Sequence, residues 1–119
     1  MKIKTWIALK WYRKAANQGD ARAQYNLGLV YTDGQGVAQD YAEAANWYRL
    51  AAGQGHFIAQ YNLGLMYADG KGVAHDFVQA HMLLNLAAAA FPVSEREIVV
   101  KNRDRVAKEM TPDQITQSQ

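Results

Sequence analysis

The sequence of 119 residues contains no cysteine. That excludes a disulfide scaffold, a thiol nucleophile and a thiolate metal site. Serine is nearly as scarce, found only at Ser94 and Ser118, which leaves little for a Ser–His–acid hydrolase. No asparagine is followed two places on by Ser or Thr, so there is no N-glycan acceptor. Long apolar runs are missing as well. The longest covers residues 82–91 and is interrupted by Asn85, whereas a bilayer needs about 20 residues. The start is basic (Lys2, Lys4, Lys10), but its apolar part spans only residues 5–9. A signal-peptide core needs about 7–15, so no signal is expected there.

What is present is a foldable composition, 50% apolar and 20% charged, of a length that suits one domain. The net charge of +2 implies no nucleic-acid partner. Charge is unevenly placed. Lys2, Lys4, Lys10, Arg13 and Lys14 precede the first acid, Asp20. The middle of the chain is mildly acidic and the end is balanced.

The dominant feature is an internal repeat. Ala-Gln-Tyr-Asn-Leu-Gly-Leu at 23–29 recurs letter for letter at 59–65, an offset of 36. The same offset carries Asp33-Gly-Gln-Gly-Val-Ala onto Asp69-Gly-Lys-Gly-Val-Ala, and Trp11-Tyr12 onto Trp47-Tyr48. Between residues 19–54 and 55–90, 19 of 36 positions are identical. The chain is therefore a tandem array with a partial unit at 4–18, repeats at 19–54 and 55–90, and a closing segment at 91–119.

Each unit reads as helix, glycine loop, helix. Leu27, Val30 and Tyr31, then Leu63, Met66 and Tyr67, give i, i+3, i+4 spacing over first helices at 21–32 and 57–68. Asp20 suits an N-cap, and Gly34 and Gly36 suit the positive φ that follows a helix end. Second helices begin at Asp40 and Asp76, with Glu43 and Gln79 in capping-box spacing. Gly28 and Gly64 fall mid-helix, where glycine costs about 1 kcal/mol against alanine. Close approach of a neighbouring helix near Ala44 or Ala80 is expected to offset that cost. The segment 94–110 predicts a polar closing helix, with Ser94 and Glu97 as a capping box and Ile98, Val99, Val106 and Met110 as its apolar stripe. Thr111 and Pro112 then start a last helix. The fold class is all-α, made of antiparallel helix pairs.

Chemical motifs are weak. The Gly-x-Gly loops lack the Gly-Lys-Ser/Thr of a phosphate loop. His56, His75 and His81 are separated by 19 and 6 residues, which places no two on one helical turn. Ser94 reads as a cap and Ser118 as part of a frayed end. No catalytic residue, metal site or cofactor is expected.

The pattern Ala-Gln-Tyr-Asn-Leu-Gly-Leu-x-Tyr-x-Asp-Gly-x-Gly-Val, followed by Asp-Tyr-x-x-Ala-x-x-Trp-Tyr-x-x-Ala-Ala-x-Gln-Gly, resembles the Sel1-like repeat, a relative of the tetratricopeptide repeat. The resemblance runs from Ala8 to about Ala90. The third unit departs from it, with Leu83-Leu84 in place of Trp-Tyr. The resemblance implies an α-solenoid, a right-handed superhelix whose first helices line a concave groove, acting as an adaptor or scaffold for a partner protein or peptide. By analogy with tetratricopeptide packing, the groove would show Arg22, Tyr25, Leu29, Thr32 and Asp33, and one unit on Ile58, Tyr61, Leu65, Ala68 and Asp69. Packing of Tyr25 and Tyr61 between repeats is the competing reading. A secreted or envelope bacterial factor using the same groove is the alternative function, so the compartment stays open between cytoplasm and cell exterior. Some Sel1-like proteins are linked to β-lactam hydrolysis, but they are Cys-rich, unlike this chain. Trp6 and Ile7 leave an apolar N-terminal edge, which suggests self-association through the first helix.

Overall fold

In the computed structural model the described backbone runs from Lys2 to Gln119, and the described side chains from Ile7 onward. Among these residues there are seven α-helices and no strand: α1 (Lys2–Asn17), α2 (Ala21–Asp33), α3 (Tyr41–Gly53), α4 (Phe57–Asp69), α5 (Phe77–Ala90), α6 (Arg96–Lys108) and α7 (Pro112–Ser118). A 3₁₀ turn, Val93–Glu95, precedes α6. Each of α1 to α5 packs on the next, and α7 docks on α5. The result is elongated, 50 × 28 × 24 Å.

Local chemistry sets the helix ends. Asp20, Asp40 and Asp76 accept from the backbone N–H three residues on, so each occupies one of the orphan donors of a first turn. The reciprocal bonds of a full capping box form only at Thr111 and Gln114, where Pro112 opens α7. Gly34 and Gly70 end α2 and α4 at φ 70° and 68°, the left-handed cap that glycine adopts without Cβ strain.

Ser94 is not an N-cap. Pro92 leads into the tight 3₁₀ turn, which places Ser94 inside the first turn, and its hydroxyl makes no cap bond. The stripe on α6 is also narrower than expected. Val99 and Val106 are buried, while Ile98 is exposed.

The glycines have a different reason from the one the sequence suggested. Their nearest neighbours are not Ala44 and Ala80. A Cβ on Gly28 would overlap the Tyr48 ring, and one on Gly64 would lie 3.1 Å from Leu84. A large side chain of the second helix, rather than its backbone, fills each notch. Leu83 and Leu84 take the places of Trp47 and Tyr48 and are buried in their turn.

Polar ties repeat with the same period. Gln24 and Gln60 each donate from Nε2 at 3.2 Å to the carbonyls of Ala16 and Ala52. Arg96 holds the third place and donates to the Phe91 carbonyl. Arg13 donates to the Tyr31 hydroxyl and Arg49 to the Tyr67 hydroxyl. At the third interface the polarity reverses: Arg103 stands at the tyrosine position and donates to Asn85 at the arginine position.

At the N-terminal edge Ile7 is exposed and Trp11 is 61% exposed, with the Lys14 ammonium over its ring. Trp47, one unit on, packs against the cluster of Leu9, Leu27 and Val30. The side chain of Trp6 lies outside the described residues.

Candidate functional site

An apolar cleft of about 270 Å³ lies between α2 and α4. Leu29 and Thr32 supply the α2 wall, and Leu65, Met66 and Asp69 the α4 wall. Tyr41 and Tyr48 of α3 close it from behind, and Asn62 and Lys71 complete the lining. Such a concavity lies just below the usual size range of small-molecule pockets.

The cleft follows from the repeat. With no side chain at position 28, the Tyr48 ring slides onto α2, where it is only 2% exposed. Thr32 Oγ1 donates to the Gly28 carbonyl at 2.8 Å and accepts from the Tyr48 hydroxyl at 3.2 Å. Burial raises the Tyr48 phenol above its ordinary pKa, against the bonds from Thr32 and Asn62. Tyr25 is shifted the same way by burial, again opposed by Asn62. A raised pKa keeps both phenols in the neutral, hydrogen-bonding form at neutral pH.

The ten groove residues expected from the sequence divide into two sets. Leu29, Thr32, Leu65 and Asp69 line the cleft together. The others do not. Tyr25 is half-buried and stacks on His56, with centroids 4.6 Å apart. Tyr61 packs edge-on to Phe91, and its hydroxyl accepts from Asn102 of α6 at 2.9 Å. Ile58 packs against the cluster around Phe91. Arg22 is exposed, and its charge is felt by His56. Asp33 is exposed, and its charge is felt by the Tyr25 and Tyr48 phenols. Ala68 is buried.

Tyr41, Tyr48, Asn62, Met66 and Lys71 were missed. The Gly28–Tyr48 pairing was the available signal for Tyr48, since a mid-helix glycine needs a large side chain against it. Lys71 replaces Gln35 of the preceding loop, a change visible in the repeat alignment. Its ammonium sits 5.3 Å from the Tyr41 ring centroid.

Two histidines have roles that repeat position alone did not reveal. His56 stands where the preceding unit has Asp20 and caps α4, its Nδ1 accepting from the Ala59 N–H. Burial and the Arg22 charge lower its pKa. His81 is buried at a position that is alanine in the preceding unit, and Ser118, far from frayed, is 3% exposed. The Ser118 hydroxyl donates to the Ile115 carbonyl, and His81 Nδ1 lies 2.7 Å from its oxygen. The pair ties α7 to α5. No group of three or more His, Cys, Asp or Glu side chains is placed to hold a metal among the described residues. No described helix is long and apolar enough to cross a membrane.

The pattern of the Sel1 repeat matches residues 7–20, 21–56 and 58–90. The chain belongs to the Sel1 repeat family. A comparison with curated proteins gives no match. Among solved structures, this Sel1 repeat chain is similar to a protective antigen of uropathogenic Escherichia coli with an SLR fold, at 38% identity and a TM-score of 0.82. It is also similar to a Sel1 repeat protein from Oxalobacter formigenes, at 30% identity and a TM-score of 0.71. The alignments cover 92% and 91% of this chain, but only 23% and 51% of those proteins. Sel1 repeat proteins are generally scaffolds for protein–protein interaction and typically non-catalytic.

Proposed function

We propose that the chain is a binding module that holds a partner protein or peptide along its first helices, α2 and α4. The observation that carries this reading is the cleft between them, where Leu29 and Leu65 stay half-exposed at equivalent places in two repeats. A peptide lying across both helices would cover these leucines, with Tyr25, Ile58 and Tyr61 along one side, Thr32, Asp33 and Asp69 along the other, and Arg22 at one end. No cofactor takes part.

The test is cross-linking mass spectrometry on complexes captured by the full chain. Cross-links should cluster on α2 and α4, and Leu29→Asp should lose the partner while the outward-facing Leu50→Asp keeps it. Equal capture by both variants would move the site elsewhere.

The resemblance to a protective antigen favours a second reading, in which the same surface faces an envelope or host ligand. Surface labelling of intact cells that express the full-length gene separates the two compartments. Self-association through α1 also belongs to this proposal, because Ile7 and Trp11 are exposed. Sedimentation of the parent and of Trp11→Glu at rising concentration tests it, and two identical monomers would refute it.

A further inference from the structure

We propose that the solvent-facing side of α1 docks on an anionic lipid surface. The proposal goes beyond the binding reading above, because it uses none of the cleft residues.

Charge sets the sign of the occupant. Residues 1–19 hold five bases and no acid. On α1 the spacing i, i+3, i+4, i+7 gathers Ile7, Lys10, Trp11 and Lys14 on one side, and all four are exposed. Leu9 and Ala16, on the opposite side of the helix, are buried. No carboxylate neutralises this face, since the one salt bridge among the described residues joins Arg103 to Asp104. The Lys14 ammonium lies instead 5.5 Å from the centre of the Trp11 ring.

The repeat does not call for these side chains. Where α1 has Lys10 and Lys14, α3 has Asn46 and Leu50, and α5 has Met82 and Leu86. Where α1 has Ile7, they have Glu43 and Gln79. The lysine positions also stay open when a unit precedes them. Both α3 and α5 follow an earlier helix pair or partial unit, yet Asn46 is exposed, Leu50 is 52% exposed and Leu86 51%. The lysines of α1 therefore sit where a stacked array faces solvent.

The mixture of side chains selects lipid. Tryptophan is favoured at the membrane–water interface. Lysine stems lie along apolar surface while their ammonium groups reach into the polar layer. A helix that combines both binds through apolar burial and through attraction to anionic lipid together. A nucleic acid would meet the lysines and leave Ile7 in water. A second copy bound through α1 would set five bases against five. An anionic bilayer meets the charge and the apolar side chains at once, and α1 stands at one end of an array 50 Å long, where it can reach such a surface.

The experiment is flotation of the full chain with phosphatidylcholine vesicles, with and without phosphatidylglycerol. The chain should float with the anionic vesicles alone and be released as salt rises. Lys10→Gln and Lys14→Gln should each weaken binding about fivefold. Trp11→Ala should weaken it further, while Ile98→Asp, an exposed site on α6, should leave it unchanged. Brominated acyl chains should quench part of the tryptophan emission, and Trp11→Phe should reduce that part. Melting curves show that each variant is folded.

Equal flotation with both kinds of vesicle, or flotation with neither, overturns the inference. So does anionic binding that the lysine variants and Trp11→Ala leave unchanged. A dimer in sedimentation that Trp11→Glu dissolves and anionic vesicles leave intact would mean that a second copy covers this face, and would overturn the lipid assignment. None of these outcomes touches the cleft, whose test is partner capture by Leu29→Asp.

Discussion

The ring of Tyr48 lies on the spot where any residue other than glycine at position 28 would place its Cβ. Gly28 therefore sets how close α3 comes to α2. Overpacking a filled site costs about 1–3 kcal/mol, more than the ~1 kcal/mol of helix propensity that alanine returns. Gly28→Ala should thus lower stability in urea unfolding, and Gly28→Leu should lower it further. Combining Gly28→Ala with Tyr48→Leu should recover part of the loss, because a leucine leaves such a Cβ more room: one added at the equivalent Gly64 would lie 3.1 Å from Leu84 rather than overlap a ring. Additive losses in the double-mutant cycle would mean that the two sites do not compete for one space.

His56 makes α4 sensitive to acid. Its Nδ1 can cap the helix only while unprotonated. Its folded pKa is lowered, by burial first and by Arg22 second. The sign follows directly: a lowered folded pKa means that the unfolded chain binds more protons. The contribution is full above the unfolded value of about 6.5 and is lost as pH falls from there through the folded pKa. His81 is lowered as well, by burial and Arg103, and acts in the same direction. Thermal melts from pH 7.5 to pH 5 should fall for the parent. They should fall less for His56→Asp, which keeps the cap that Asp20 makes in the preceding unit. Parallel curves for the two proteins would remove His56 as a source.

The second repeat lacks a bond that the first one has. In the first, Gln54 Nε2 donates to the Gln24 amide oxygen at 2.8 Å and to the Gly19 carbonyl at 2.9 Å. At the equivalent of Gln54 the second repeat has Ala90, and the buried Gln60 Oε1 has no partner. Ala90→Gln should supply that partner and raise stability by about 0.5–1.5 kcal/mol, the net worth of one hydrogen bond. An unchanged urea midpoint would show that water already serves the Gln60 oxygen.

Ser118 ties the last helix down. Its hydroxyl bonds the Ile115 carbonyl and lies 2.7 Å from the buried His81 Nδ1. Ser118→Ala removes the shorter of the two polar contacts of that nitrogen, at about 1–3 kcal/mol for a buried group left unsatisfied. Because α7 is a short terminal element, the effect should be local. Hydrogen exchange of the α7 amides should speed up while those of α3 and α4 hold steady. Unchanged exchange across α7 would mean that Ile115 and the backbone contacts suffice to hold it.

The tandem array, the starts of α2 to α5, the aspartate caps and the glycine loops were legible in the sequence, because each depends on near neighbours; the start of α6 was not. An apolar period of 3.6, a short acceptor before a helix and glycine after one need no knowledge of the rest of the chain. The candidate site was only partly legible. Register along the repeat set Leu29, Thr32, Leu65 and Asp69 on one face, since equivalent positions face the same way in successive units, and these four line the cleft. Tertiary contact decided the rest. Tyr25 and Tyr61 have the same register, yet one meets a histidine and the other a phenylalanine and an asparagine, so their surroundings differ. At the next interface Ala68 stands where Thr32 does and is buried with Val106 of the closing helix, with Met110 packed against them. The His81–Ser118 tie spans 37 residues and joins two positions outside the repeat consensus. Such pairings depend on which side chains meet across packed helices, and that is determined only when the whole array has stacked.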